Sequence, residues 1–333
     1  MNKINITYFQ RKPRAQNFSL EFIFNDVRER LQDRIAAKVE IAPYYSTGLI
    51  NRLRIIAGAV SKQGQVNHIT GDIHYISFLL DRKKTILTIA DCVFMNNPSA
   101  IKRFFLKLFW LTLPAKKINY ITAISTSTKN QLIELLPGFN PNKIVVIPVA
   151  VSDSFKYSPK PFNAAKPVLL HVGMAPNKNL LRLIEAIQGI ECHLIIIGKL
   201  TDVYTQKLVD FDIEYSNFYD LSQTDLIKKY EECDILTFVS TYEGFGMPIV
   251  EANIVGRAVL TSTVTSMPEV AANAACLIDP FDVVAIRAGL LKIITDETYR
   301  NQLITNGLEN AKRFDGHTIA NQYYNLYQEV IKE

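Results

Sequence analysis

The strongest constraint in this 333-residue sequence is a rhythm. Short apolar, β-branched runs alternate with segments of helical spacing, stop at a proline-broken stretch, and start again. Ile4 to Phe9, Val39 to Tyr44, Val66 to Thr70, Thr85 to Ile89, Tyr120 to Ser125 and Ile144 to Val149 read as strands, with helical periods such as Phe18 to Leu31 and Lys102 to Leu113 between them. Strands separated by helices are what a parallel sheet needs, because each crossover must carry the chain back to the starting end of the sheet. Ser152 to Lys166, interrupted by Pro159 and Pro161 and followed by Pro167, reads as a linker. Beyond it, Val168 to Val172, Leu194 to Gly198, Ile235 to Ser240, Ala258 to Ser262 and Ala275 to Asp279 predict a second sheet. Helices are expected at Leu180 to Gln188, Leu226 to Glu232, Ile249 to Val255, Val283 to Thr295, Thr298 to Phe314 and Thr318 to Lys332.

The expected fold class is therefore α/β, with two Rossmann-like doubly wound domains at 1–155 and 156–315, and a terminal helix, 316–333, returning to the N-terminal domain. Ligands in such folds sit beyond the carboxyl ends of strands, which predicts a site in the cleft faced by both domains. A hydrophobic content of 48% is enough for two cores. Cys92, Cys192, Cys233 and Cys276 lie far apart, without the paired spacing of a zinc site or disulfide framework, and read as buried thiols of a reduced compartment. The start of the chain does not resemble a secretion signal and no window approaches the ~18 apolar residues of a membrane helix, so a cytoplasmic protein is expected. Residues 1–155 carry 21 Lys and Arg against 10 Asp and Glu, a net +11, whereas 156–333 carry 16 against 22, a net −6. The basic half suits an anionic partner, or is simply a solvated surface.

Chemistry concentrates in Ser240 to Ala252. Ser240 to Met247 leaves a buried-strand run, and Pro248 suits the first turn of the helix that follows. Gly244 and Gly246, with Phe245 and Met247 beside them, let the backbone approach a ligand closely. The helix start concentrates about half a positive charge there, which suits a diphosphate or the hydroxyls of a sugar. Glu243 and Glu251 frame this element with seven residues between them. Glu251 is long enough to reach a vicinal diol such as that of ribose. On spacing alone Glu251, near the end of the first helical turn, is equally readable as a merely favourable acid there, and Glu243 as a solvated loop acid.

The run from Glu243 to Glu251 resembles the Glu, seven residues, Glu signature of retaining glycosyltransferases of the GT-B fold, specifically glycosyltransferase family 4, the glycosyl transferases group 1. Ile121 to Lys129, Lys143 to Val151, His171 to Asn179, Ser266 to Val270 and Ala274 to Pro280 resemble further segments of that family in the same order. The resemblance implies transfer of a hexose from a nucleotide diphosphate sugar to a glycan or lipid-linked acceptor, with retention, in cell-surface polysaccharide synthesis. It implies no metal and no cofactor beyond the sugar nucleotide as co-substrate. Catalytic roles fall on Glu243 and Lys178, and donor binding on Glu251, Gly173, Lys178, Gly244, Phe245, Gly246 and Met247. A fixed cation at Lys178 would stabilise the departing diphosphate more than the bound donor, the difference that accelerates a reaction. The family's usual partner Arg is replaced here by Met174 or Ala175 in a shortened loop. Arg182 is a candidate substitute, or an exposed helix residue. Asp210-Phe211-Asp212 has the spacing of a metal-binding acid pair but reads as a solvated turn.

For the acceptor half the family shows a Gly-rich loop after the first strand and a His-Asp pair after the fourth. Here Gln10 to Asn17 has no glycine, and the pair is Ala90-Asp91. Asp91 matches the acid, and His74, after another strand end, is the candidate to stand in for the histidine. Lys102 to Leu111 combines cations with aromatics, which suits peripheral contact with an anionic bilayer at the inner face of the cell membrane, or an ordinary half-buried helix. No nucleic-acid-binding motif accompanies it. Two alternatives remain open, a nucleotide-sugar epimerase of the same fold and a non-catalytic sugar-nucleotide binding module. A dehydrogenase is disfavoured because Gly244-Phe245-Gly246 lacks the third glycine and distant acid of the dinucleotide fingerprint.

Overall fold

The computed structural model describes residues 3–13 and 19–333. Positions 14–17 of the glycine-free first loop, and the expected helix start at Phe18, lie outside the described residues. The chain forms two compact units, one of Met1–Ala150 with Gly316–Glu333, the other of Val151–Asp315.

The first unit is built on a parallel sheet of β1 (Ile4–Gln10), β2 (Ile35–Ile41), β3 (Val66–Ile69), β4 (Thr85–Ile89), β5 (Tyr120–Ala123) and β6 (Ile144–Val146), in the order β2-β1-β3-β4-β5-β6. The central strands β3, β4 and β5 are buried at every residue, as a sheet covered on both faces requires. Strand β2 starts at Ile35, four residues before the expected Val39, and stops at Ile41 ahead of Pro43. Its Ala36, Ala37 and Lys38 are exposed on an edge strand, so no apolar pattern announces them. The terminal helix Gly316–Lys332 belongs to this unit and buries Ile319, Ala320, Tyr323, Leu326, Tyr327 and Val330, a stripe of helical period. Tyr327 carries a polar anchor into that interface, its hydroxyl 2.8 Å from His68 Nδ1 and 3.0 Å from the Tyr8 hydroxyl. Burial pushes His68 down to about 3, so it stays neutral there.

The second unit carries β7 (Val168–Val172), β8 (His193–Ile197), β9 (Tyr215–Phe218), β10 (Ile235–Phe238), β11 (Ala258–Ser262) and β12 (Cys276–Ile278), parallel throughout and ordered β12-β11-β10-β7-β8-β9. The chain winds one way from β7 through β8 to β9, then returns to β10 on the other side of β7. The order thus reverses between β7 and β10, and the loops leaving those two strands diverge over a crevice, the place where ligands bind in open α/β sheets. Strand β9 has no sequence signature, because Tyr-Ser-Asn-Phe is a half-buried edge without alternation. All four cysteines are buried and none forms a disulfide among the described residues. Among the described residues no helix is long and apolar enough to cross a membrane.

Candidate functional site

The loop after β7 runs from Gly173 to Asn179, and the loop after β10 from Val239 to Gly246, so the reversal of strand order brings Lys178 and Glu243 together. Lys178 Nζ lies 2.7 Å from Glu243 Oε1 in a largely buried ion pair, and 4.8 Å from the centre of the Phe238 ring. The two loops are also stitched through Asn177. Its carbonyl accepts from Thr241 N at 2.7 Å, and its Nδ2 donates to Tyr242 O at 2.8 Å. Glu243 is held at its main chain from the far side. Its N–H donates to Thr265 Oγ1 at 3.1 Å and its carbonyl accepts from Ser266 Oγ at 3.0 Å. Fixed main chain on both loops lets the ion pair keep one geometry.

The helix that follows spans Met247–Val255, with Pro248 in its first turn and Gly246 as the residue before it. The left-handed backbone falls on Gly246 (φ +113°) rather than on Gly244. The amides of Gly244, Gly246 and Met247 donate to nothing among the described residues. Unpartnered amides at a helix start have the chemistry that an anion-binding surface requires. Phe245 turns inward, its ring buried and packed edge-on against Phe314 at 5.4 Å, so a ligand can meet its main chain but not its ring.

Glu251 falls on the second turn of this helix, not the first, and is only 8% exposed. Burial raises its carboxyl to about 7, while the Tyr230 hydroxyl hydrogen-bonded to Oε2 and the charge of Lys178 pull the other way. Lys178 therefore acts on both carboxylates. Tyr230, on the helix Gln223–Glu232, carries no signal in the sequence, since its pairing with Glu251 exists only once two helices pack. The same holds for Thr265, whereas Asn177 and Ser266 lie in the segments 171–179 and 266–270 that carry the family resemblance.

His171, at the end of β7, is buried and pushed down to about 4, first by burial and then by Lys178, so it adds no charge to the site. Arg182 is held by Asn179 Oδ1 at 2.9 Å, with its guanidinium 5.6 Å from the Phe281 ring. Asp210 and Asp212 are exposed where the helix Asp202–Asp210 ends. No group of three or more potential metal ligands occurs among the described residues.

The first unit has its own pocket, a 380 Å³ cavity beyond the carboxyl ends of β3 and β4, and it brings His74 and Asp91 to one place. His74 is buried, with Nδ1 2.6 Å from the Trp110 carbonyl. A carbonyl only accepts, so Nδ1 carries the proton and Nε2 keeps its lone pair. Asp91 accepts from Val93 N at 2.9 Å, and burial raises its carboxyl, reinforced by the charge of Asp72. Arg11, which the sequence did not single out, bridges Glu21 and Asp72 at 3.0 Å each and lines the same pocket.

Residues 154–310 match the sequence model of the family described as Glycosyl transferases group 1. The O-antigen chain mannosyltransferase B of Escherichia coli is 30% identical over 257 residues, covering 70% of this chain and 66% of that one. The serotype-specific mannosyltransferase WbdA of Escherichia coli is 29% identical over 187 residues, covering 56% of this chain and 20% of that one. The chain thus spans just under two thirds of the first relative and a fifth of the second. Anabaena Alr3699/HepE, crystallised with UDP and glucose, matches 98% of this chain and 99% of its own with a TM-score of 0.78 at 17% identity, a likeness that carries the GT-B fold. Residues 154–310, which hold Lys178, Glu243 and Glu251, thus match the glycosyl transferases group 1, and the chain has the GT-B fold.

Proposed function

We propose that this chain transfers a hexose from a nucleotide diphosphate sugar to a glycan or lipid-linked acceptor, with retention at the anomeric carbon, in cell-surface polysaccharide synthesis. The observation that carries this reading is the Lys178–Glu243 pair at 2.7 Å beside unpartnered amides at the head of the helix Met247–Val255. The O-antigen mannosyltransferase relatives favour mannose as the hexose.

In the proposed reaction the bond from the anomeric carbon to the diphosphate oxygen breaks and its electron pair stays on that oxygen. Lys178 and the amides of the loop and helix start meet the growing charge, the role a divalent ion fills elsewhere, so no metal is invoked. The acceptor hydroxyl adds on the face the diphosphate leaves, and its proton passes to the departing phosphate oxygen. Glu243 sits where it can orient the hexose, and Glu251 accepts from the ribose diol. The acceptor is assigned to the His74–Asp91 pocket of the first unit, where His74 Nε2 and the Asp91 carboxylate would hold its hydroxyls. The helical run that carries Leu106 and Trp110 into that pocket also exposes Phe104, Phe105 and Phe109. This supports peripheral contact with the inner face of the membrane through 102–111, and a lipid-linked acceptor drawn from it.

The test is transfer and donor hydrolysis across a panel of nucleotide sugars, with and without EDTA, on wild type and Lys178→Ala. Donor-selective turnover that survives EDTA and collapses in the variant is expected. Turnover that requires a divalent ion, or donor isomerised without any acceptor, would overturn the reading.

A further inference from the structure

The first unit holds a second, larger cavity, of 810 Å³, that the proposed reaction does not use. It lies at the amino-terminal edge of the sheet. Arg82 precedes β4, Asn119 immediately precedes β5, and the turn Asn140–Lys143 leads into β6. The His74–Asp91 pocket lies beyond the carboxyl ends of strands, so the two are separate. The volume falls within the roughly 300–1,000 Å³ of sites that take small organic molecules.

The walls and the rim differ in kind. Ile118, Leu135, Leu136 and Phe139 give the cavity an apolar lining. Arg82, Lys107 and Lys116 also line it, and none of the three is in an ion pair among the described residues. A fourth cation, Lys143, is already paired with Glu333. The sequence concentrates this charge, with no acid between Asp91 and Glu134 but six cations, Lys102, Arg103, Lys107, Lys116, Lys117 and Lys129. Lys107 belongs to the helical run on which Ile101, Phe104, Phe105 and Phe109 are 71%, 62%, 52% and 46% exposed. An apolar hollow with uncompensated cations at its edge matches a molecule with an acyl chain and an anionic head.

We propose that this cavity binds one anionic glycerophospholipid, its acyl chain against Leu135, Leu136 and Phe139 and its phosphate among Arg82, Lys107 and Lys116. The lipid reaches the cavity from the bilayer, and only in that respect does the site rest on the membrane contact assigned to 102–111.

The probe is a short-chain lysophosphatidylglycerol below its micelle concentration, compared with lysophosphatidylcholine of equal chain length and with inorganic phosphate, by calorimetry on the full chain. Anionic lipid is expected to bind at least fivefold more tightly than the zwitterionic one, and phosphate alone not measurably. Gly138 is an exposed residue that lines the cavity and has open space around its Cβ position, so Gly138→Phe adds a ring at the cavity wall without disturbing the core. That variant and Lys107→Glu/Lys116→Glu are each expected to lose probe binding at least tenfold with unchanged circular dichroism. A triple Phe104→Ser/Phe105→Ser/Phe109→Ser variant is expected to keep the soluble probe and lose sedimentation with phosphatidylglycerol vesicles, which separates the cavity from the membrane contact. Equal affinity for both lipids, phosphate binding as tight as lipid, or indifference to both cavity variants would overturn the proposal.

Discussion

A Cβ atom placed on Gly173 would stand 2.9 Å from Cε of Lys178, and the φ of Gly173 is +96°. The glycine therefore does two things. It lets β7 turn sharply into the loop, and it leaves room for the lysine stem to lie across the backbone towards Glu243. Gly173→Ala should cost about 1–3 kcal/mol in denaturant unfolding through backbone strain. It should also slow transfer at least tenfold, because the displaced ammonium no longer meets the diphosphate. Unfolding curves and single-turnover assays on the same sample check both halves, and normal turnover would show that Lys178 does not need this path.

In the absence of donor, Lys178 spends its charge on Glu243. A diphosphate entering the site must share that ammonium with the carboxylate, so the two substitutions part company. Lys178→Ala should weaken nucleoside diphosphate binding and lower turnover by roughly 10²- to 10³-fold, the usual loss for one preorganised group facing developing charge. Glu243→Gln should bind the free diphosphate several-fold more tightly, since its competitor for Lys178 is neutral, yet transfer more slowly. Titration calorimetry with the nucleoside diphosphate, set beside turnover, would expose the split. Weaker diphosphate binding in Glu243→Gln would mean that the pair does not compete.

Much of this geometry was written in local pattern. Val168–Val172 and Ala258–Ser262 are strands made mostly of β-branched and apolar residues, the first buried at its centre and the second throughout, and their bounds follow from composition. Pro248 after two glycines marked the loop-to-helix junction, and the seven-residue spacing marked both carboxylates. What stayed illegible depends on partners distant in the chain or on positions without periodicity. Glu251 reads as an acid of a helix's first turn, and only the fold shows Tyr230 and the core closing over it. The helix Leu49–Val60 escaped because Leu49, Ile50 and Leu53 are exposed, which blurs its apolar face. The π-helical turn Lys107–Thr112 inside a run read as one regular helix has no local signature either.

A carboxyl raised to about 7 makes Glu251 sensitive to pH in the working range. From 4.5 to about 7 the folded chain keeps a proton that the unfolded chain has released. Its contribution to stability therefore declines as pH rises through that window and levels off above it. Donor binding runs the opposite way, because only the carboxylate accepts hydrogen bonds from both ribose hydroxyls. Nucleoside diphosphate affinity should climb as pH passes through about 7, and Glu251→Gln should flatten both profiles. An unchanged affinity profile in that variant would assign the titration elsewhere.

Tyr230 offers a finer handle on the same group. Its hydroxyl donates to Glu251 Oε2 and favours the ionised form. Tyr230→Phe removes that donor while keeping the ring packed edge-on with Phe155 at 5.4 Å. The affinity-against-pH curve should keep its shape and shift its midpoint upward, whereas a merely structural role would lower affinity equally at every pH.

Asn179 separates backbone strain from hydrogen bonding at the point where the Lys178 loop enters its helix. It is buried with φ +65°, and its Nδ2 donates to Val239 O at 3.0 Å and Pro280 O at 2.7 Å. Those two carbonyls belong to the segments that follow β10 and β12, so one carboxamide ties three strand ends together. Asn179→Gly keeps the left-handed backbone without cost but leaves both carbonyls short of a donor, which should destabilise by about 1–3 kcal/mol. Asn179→Ala loses the same bonds and adds the left-handed penalty of about 1–2 kcal/mol for a residue with a Cβ. Alanine should therefore be the less stable of the two by urea unfolding, although it is the better helix former. The reverse order would mean that the loop relaxes out of its left-handed turn once the carboxamide is gone, and turnover in both variants should then fall together as Lys178 loses its fixed position.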